Sequence, residues 1–274
     1  MNLSGRYFIY NNVGSKQFGL RILNLDTDRL TTLAAPLSYS STYNRGKKRF
    51  NITGSTYEEP LEFDIEFIAE RPLSLPASQK VKSWLFNKKQ PARLYSEMKK
   101  DVTRTLANGV WKRDYLNCVF YNPTEIRFAD GVHGYKATCL IDSVMALQEE
   151  VEYTWTRADL VNQPTTIVIN VETDVDDYVF PYMEILMSEG NASDVVITNE
   201  TDSDRVFELK SVDGQQTVSV DNALGTVYSD AEVSLYDNLT DKRFLRLLPG
   251  KNTLTVEGNI DTLMIRLENA RYVV

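Results

Sequence analysis

Cysteine and histidine are scarce in this chain of 274 residues, which holds Cys118, Cys139 and a single histidine, His133. Two cysteines cannot build a disulfide scaffold or a four-cysteine zinc site, and one histidine removes the usual two- and three-histidine metal centres. Both cysteines lie in strand-like runs and read as buried, reduced thiols. Long apolar runs are missing too: the longest are a few residues and are broken by charges, as in Leu245-Arg246-Leu247-Leu248. A membrane-spanning helix needs about 18 apolar residues, so no membrane partner is expected. Met1–Phe8 has no basic segment followed by an apolar one, and export by a signal peptide is not expected. Positive charge is in deficit, with 30 Lys+Arg against 38 Asp+Glu and a net charge of -8, which argues against a general nucleic-acid binder.

What is abundant is alternation with a period of two. Leu61-Glu62-Phe63-Asp64-Ile65-Glu66-Phe67 places four apolar side chains on one face and three acids on the other, a half-buried strand. Similar runs rich in β-branched and aromatic residues occur at Tyr115–Tyr121, Tyr135–Ile141, Thr165–Val171, Val195–Thr198 and Val206–Leu209. Others are Thr217–Val220, Phe244–Leu248, Thr253–Val256 and Leu263–Leu267, with turn signals such as Asp213-Gly214 and Pro249-Gly250. The fold class is therefore mainly β. One helix is predicted near residues 75–87: Ser74 is a capping residue, Pro76 sits in the first turn, and Val81, Trp84 and Leu85 share one face. Pro91 blocks its continuation. Trp84 reads as the anchor of this helix on a sheet.

Composition changes near residue 160. Residues 1–160 carry 22 Lys+Arg and 18 Asp+Glu, a net +4, while residues 161–274 carry 8 and 20, a net -12. All three tryptophans, both cysteines and the histidine fall in the first part. Two domains are expected: 1–160, an α+β unit with one helix on its sheet, and 161–274, an antiparallel β-sandwich.

Chemistry-bearing motifs are few. His133, in Ala129-Asp130-Gly131-Val132-His133-Gly134, reads as part of a hairpin tip, and a Cys–His pair with Cys118 or Cys139 would be needed for a nucleophilic role. Acidic pairs occur at Glu58-Glu59, Glu149-Glu150 and Asp176-Asp177, but adjacency in sequence does not supply two carboxylates converging across a cleft. Asp174–Asp177 and Glu200–Asp204 offer oxygen ligands for calcium without the EF-hand spacing. Val13-Gly14-Ser15-Lys16 lacks the upstream glycine of a P-loop. No catalytic residue, metal site or cofactor is assigned. The strongest charge feature is Arg45-Gly46-Lys47-Lys48-Arg49, within the polar stretch Ser38–Asn51. It reads as an exposed hairpin or arm, for which an acidic neighbouring subunit is as good a target as nucleic acid. The second part has no tryptophan or histidine, and galectin-type sugar chemistry is not supported there. Calcium-dependent or tyrosine-based sugar binding stays open.

The order of these features resembles one family, the distal tail proteins of long-tailed bacteriophages. The residues that carry the resemblance are Phe18-Gly19-Leu20, the Leu61–Phe67 strand and Lys80-Val81-Lys82-Ser83-Trp84-Leu85. They continue with Tyr115–Tyr121, Asn122-Pro123-Thr124-Glu125-Ile126 and Gly134-Tyr135-Lys136-Ala137. In the second part they are Val196-Ile197-Thr198-Asn199 and Leu248-Pro249-Gly250-Lys251-Asn252-Thr253-Leu254-Thr255-Val256. Ser38–Thr56 departs from the pattern, being longer and more basic, and the chain is too short to hold an inserted carbohydrate-binding module. The resemblance implies a non-enzymatic virion protein of the tail tip, made in the host bacterial cytoplasm. It implies a homo-hexameric ring built by the N-terminal domain, with galectin-like C-terminal domains projecting outward. The implied partners are the tail tube protein, the tail-tip or baseplate hub protein and receptor-binding proteins, with DNA only passing through the channel. Arg45, Lys47, Lys48 and Arg49 are the candidate subunit interface. The alternative is a glycan-binding or host-surface attachment module of a phage tail.

Overall fold

The alternation beginning at Leu61 continues as one long strand, Glu62–Leu73, which buries Phe63, Ile65, Phe67 and Ala69. In this computed structural model the described residues are 6–25, 34–86, 88–96, 104–105, 111–161, 164–230 and 232–273, with 24, 25, 104, 105, 111 and 112 described by backbone alone. The chain divides into two compact units, Met1–Gln148 with Ala270–Val274, and Glu149–Asn269.

In the first unit, Glu62–Leu73 lies in an antiparallel nine-stranded sheet between Leu20–Leu25 and Gly131–Ile141. Asp114–Phe128, Ala92–Ser96, Phe8–Tyr10 and Val13–Gly14 follow in that order, and Ala146–Gln148 joins Asp114–Phe128 to Ala270–Arg271. Gly134 is the tightest point between two of these strands. A Cβ there would stand 2.1 Å from the Phe67 carbonyl oxygen, so only a glycine permits this approach.

The helix covers the buried face of the sheet. It runs Leu75–Phe86; the Ser74 hydroxyl accepts from the Ala77 amide at 3.4 Å, and the buried positions are Ser78, Val81, Trp84 and Leu85. The expected end at Asn87 lies outside the described residues. Trp84 stacks on Phe8 at 5.6 Å between ring centroids, meets Phe18 at 5.1 Å, and donates its indole N–H to the Tyr10 carbonyl at 2.9 Å. Tyr10 in turn donates to the Cys118 carbonyl at 3.1 Å, and the Ser78 and Tyr135 hydroxyls bond at 2.7 Å. The polar atoms that this aromatic core encloses are thus paired inside it.

The second unit holds two antiparallel sheets. One is ordered Val151–Thr156, Ile260–Leu267, Tyr182–Met187, Thr217–Asp221, Thr226–Ser229; the other Thr165–Val171, Gly250–Gly258, Ser193–Asn199, Arg205–Val212. Each buries one face, with Met183, Ile185, Val218, Val220, Leu263 and Ile265 from the first and Ile167, Ile169, Val195, Ile197, Phe207 and Leu254 from the second. This is sandwich construction. Among the described residues, no helix is long and apolar enough to cross a membrane.

Two expectations need correction. The boundary predicted at 160/161 falls instead between Gln148 and Glu149, because Val151–Thr156 pairs along its length with Ile260–Leu267. Asn162 and Gln163 of the predicted connection lie outside the described residues. With the corrected boundary the charge asymmetry doubles for the first unit, to +8 from 22 Lys+Arg and 14 Asp+Glu; the second carries 8 and 24, a net of -16. Phe244–Leu248 alternates like a strand yet is irregular, with one bridge from Leu247 to Val179. Asparagine side chains replace the missing ladder: Asn222 accepts from the Leu245 amide at 2.7 Å, Asn252 from the Leu248 amide at 2.9 Å, and Asn199 donates to the Arg246 carbonyl at 2.9 Å.

Trp84→Phe keeps most of the ring contacts but leaves the buried Tyr10 carbonyl unpaired, so its expected cost is about 1–3 kcal/mol. Trp84→Ala is expected to cost about 3–5 kcal/mol. Gly134→Ala, which forces two strands apart, is expected to cost about 1–3 kcal/mol. Urea unfolding followed by far-UV circular dichroism orders the three.

Candidate assembly surface

Leu37–Asn44 and Arg49–Tyr57 form a two-stranded hairpin that joins no other sheet among the described residues. Asn44 accepts from the Lys47 amide at 3.1 Å within the turn, and Lys48 takes a left-handed φ of 51°. At the base, Tyr57 is half-buried against the core. Ser38 and Asn44 are also partly buried, and the rest of the hairpin is exposed.

Its register sorts the side chains. Leu37 pairs with Tyr57, Tyr39 with Ser55, Ser41 with Ile52 and Tyr43 with Phe50, which puts every large apolar residue on one face. Ser38 with Thr56, Ser40 with Gly54, Thr42 with Asn51 and Asn44 with Arg49 occupy the other. A bulge after Ser40 makes this possible. Thr53 is the extra residue, and its hydroxyl bonds the Ser40 carbonyl at 3.2 Å. Were Thr53 paired regularly with Ser41 instead of bulged out, Ile52 and Phe50 would turn onto the polar face. Tyr39, Phe50 and Ile52 are 64%, 66% and 70% exposed, and the Tyr43 and Phe50 rings meet at 5.1 Å between centroids.

Arg45, Lys47 and Lys48 sit in the turn and Arg49 begins the return strand. All four are exposed and none forms an ion pair among the described residues. The basic tip was legible in the sequence; the apolar face was not. Ser38–Asn51 reads as polar by composition, although the Leu37-Ser38-Tyr39 alternation was a usable signal.

The other motifs are dispersed. His133 bonds Asp130 at 2.7 Å, which lowers that carboxyl's pKa, and its ring meets Phe128 edge-on. Cys139 lies six residues further along the same strand, about 20 Å away at strand rise. Cys118 and Cys139 are fully buried, and burial, followed by a hydrogen bond that the Cys118 thiol donates to Cys139, pushes the Cys118 thiol pKa up. The structure therefore brings no Cys–His pair together. No group of three or more His, Cys, Asp or Glu able to hold a metal exists among the described residues. Asp202, in the acidic loop considered for calcium, is engaged by Arg246 at 2.7 and 3.2 Å. Two tyrosines available for sugar stacking already carry a cation: Arg246 over Tyr178 at 3.7 Å and Lys242 over Tyr236 at 4.5 Å.

A sequence family described as the phage tail protein N-terminal domain matches residues 3–143, and the phage tail C-terminal domain family matches 146–265. The chain belongs to this phage tail family. No curated protein matches the sequence of this tail protein. Its fold is similar to that of the SPP1 Dit protein, described as a paradigm of the hub adsorption apparatus in phages infecting Gram-positive bacteria. That likeness has a TM-score of 0.65 at 9% identity, over 96% of this chain and 98% of that one. It is also similar to chains of the phage P2 baseplate in its activated conformation, with Ca (TM-score 0.50, 11% identity, 98% of this chain and 99% of that one). The corresponding structure with Sr gives a TM-score of 0.52 at 11% identity, over 98% and 99%. At these identities the likeness is one of fold.

Substituting Tyr39, Phe50 and Ile52 with Thr is expected to change the stability of the isolated subunit by no more than about 0.5 kcal/mol, because about two thirds of each side chain is exposed. It should also lower binding of a hydrophobic fluorescent dye. A larger loss in urea unfolding would show that the face is packed within the subunit.

Proposed function

We propose that this tail protein is a distal tail hub. Six copies close into a ring through the N-terminal unit, which joins the tail tube to the tail-tip or baseplate and host-attachment proteins around a channel for DNA. The observation that carries this reading is the amphipathic hairpin. A two-stranded ribbon is marginal in water on its own, and an apolar face of this extent is normally covered by a partner. The family match and the similarity to SPP1 Dit support a hub as the setting in which it is covered. Closed symmetry accounts for the partner, since each copy both offers an arm and receives one.

The charge distribution supports the same reading. The tip carries four cations in a unit of net +8, while the second unit carries -16. In this reading Arg45, Lys47, Lys48 and Arg49 are the subunit interface. They reach an acidic face of the adjacent copy, and the apolar face contributes the buried area. The acidic units lie outward, where mutual repulsion keeps the rings soluble.

Light scattering combined with negative-stain imaging tests this. The protein should form a six-fold ring, favoured by concentration. Changing Arg45, Lys47, Lys48 and Arg49 to Ser should shift it toward monomer at physiological salt. An assembly state unaffected by the four substitutions would remove the tip from the interface, and a monomer at every concentration would count against the ring.

A further inference from the structure

The long strand Glu62–Leu73 turns three carboxylates to the face opposite the helix. Glu62, Asp64 and Glu66 alternate with Phe63, Ile65 and Phe67 of the core, so they stand in one column, about 7 Å apart. The cations around them do not balance this column. Lys136 lies opposite Glu66 in the register, yet its ammonium goes to Asp64 at 3.0 Å, and Arg21 is taken by Glu70 at 2.5 Å. Glu62 accepts from the Tyr121 hydroxyl at 2.7 Å, and neither it nor Glu66 forms an ion pair among the described residues. Asp142, two residues beyond Leu140, is held by Asn117 at 2.5 Å. Like charges this close destabilise a sheet, and a cation brought from outside relieves that.

Apolar side chains flank the column. The register places Leu140 beside Glu62 and Val119 beside Leu140, with Thr138 and Tyr121 in the next row. Leu140, Val119 and Tyr121 are half-buried on this outer face. A surface that only had to repel DNA would need the charge alone. This one joins an apolar floor to an acidic border, the counterpart of the hairpin, whose apolar face ends in four cations.

We propose that this outer face, with Glu62, Asp64 and Glu66 along its border, receives the hairpin tip of a second copy of the chain. The contact rests on the hub reading, in which each copy takes a neighbour's arm. A hairpin laid across the strands, with its apolar face on Val119 and Leu140, brings Arg45, Lys47, Lys48 and Arg49 over the acid column. The chain's own tip is not the occupant. None of its cations forms an ion pair with these acids, and eight residues of strand hold it roughly 27 Å from the hairpin base, after which the acid column begins. Contact between unlike faces of identical chains is heterologous, the type from which rings are built.

Charge reversal, read by light scattering of the full chain at physiological salt, tests it. Lys47→Glu with Lys48→Glu gives a copy with an acidic tip, and Glu62→Lys with Glu66→Lys gives a copy with a basic face. Each alone is expected to raise the concentration needed for half-assembly about tenfold or more. Glu62→Gln with Glu66→Gln, which keeps the shape of both side chains, should weaken assembly in the same direction. Mixed one to one, the two charge-reversed variants should assemble within about threefold of wild type, because each then takes the tip of the other. Recovery also shows that both are folded. Wild-type assembly by any of the three variants, or no recovery on mixing, overturns the proposal. If the basic-face variant forms rings that retain short duplex DNA while wild-type rings do not, the acid column is assigned to the channel wall instead. A wild type that is monomeric at every concentration overturns the hub reading, and this contact with it.

Discussion

Side chains on a strand alternate between faces, so register decides what every sheet in this protein buries. The consequence is clearest where the register is interrupted. In the long hairpin, Thr53 is left unpaired in a bulge, which keeps Ile52 and Phe50 on the face of Tyr39 and Tyr43. In the central sheet, Gly134 lets two strands approach where any side chain would hold them apart. Both features are local, and each fixes how two strands meet: Gly134 by letting its strand approach Phe67, the bulge at Thr53 by aligning the apolar side chains of the hairpin.

Much of the fold could be read because alternation and burial coincide. Leu61–Phe67, Thr165–Val171 and Leu263–Leu267 announce themselves because one face of each meets a core and the other meets water. The helix was equally legible, since a capping serine, an early proline and a Val-Trp-Leu face converge on one answer. The failures share a cause. Phe244–Leu248 alternates because Leu245 and Leu247 are buried, but its backbone is bonded by asparagine side chains from distant positions, which no local pattern reveals. The domain boundary was misplaced for a related reason. Val151–Thr156 looks continuous with what precedes it, and only its partner, more than 100 residues later, assigns it to the second unit.

The candidate site was half legible, and the half that was missed is physically distinct. Charge is additive along a sequence, so Arg45-Gly46-Lys47-Lys48-Arg49 stands out by inspection. Amphipathicity in a hairpin is a property of two strands together, and here it depends on a bulge. Tyr39, Tyr43, Phe50 and Ile52 are scattered among Ser, Thr and Asn, and their summed hydropathy is unremarked until pairing aligns them.

An exposed apolar ribbon would be a liability in a protein that stayed a monomer, because unpaired edges and apolar faces recruit other chains indiscriminately. Two features of this one restrict what it can recruit. The outer end carries four cations, which repel a second tip and favour an acidic receiver, and the bulge twists the ribbon away from flat edge-to-edge pairing. A partner must therefore offer an apolar groove with negative charge at its far end. The second unit, at a net -16, is the more acidic part of this chain. In the proposed hub, attraction between unlike parts of like chains and repulsion between like parts would favour closure over open aggregation.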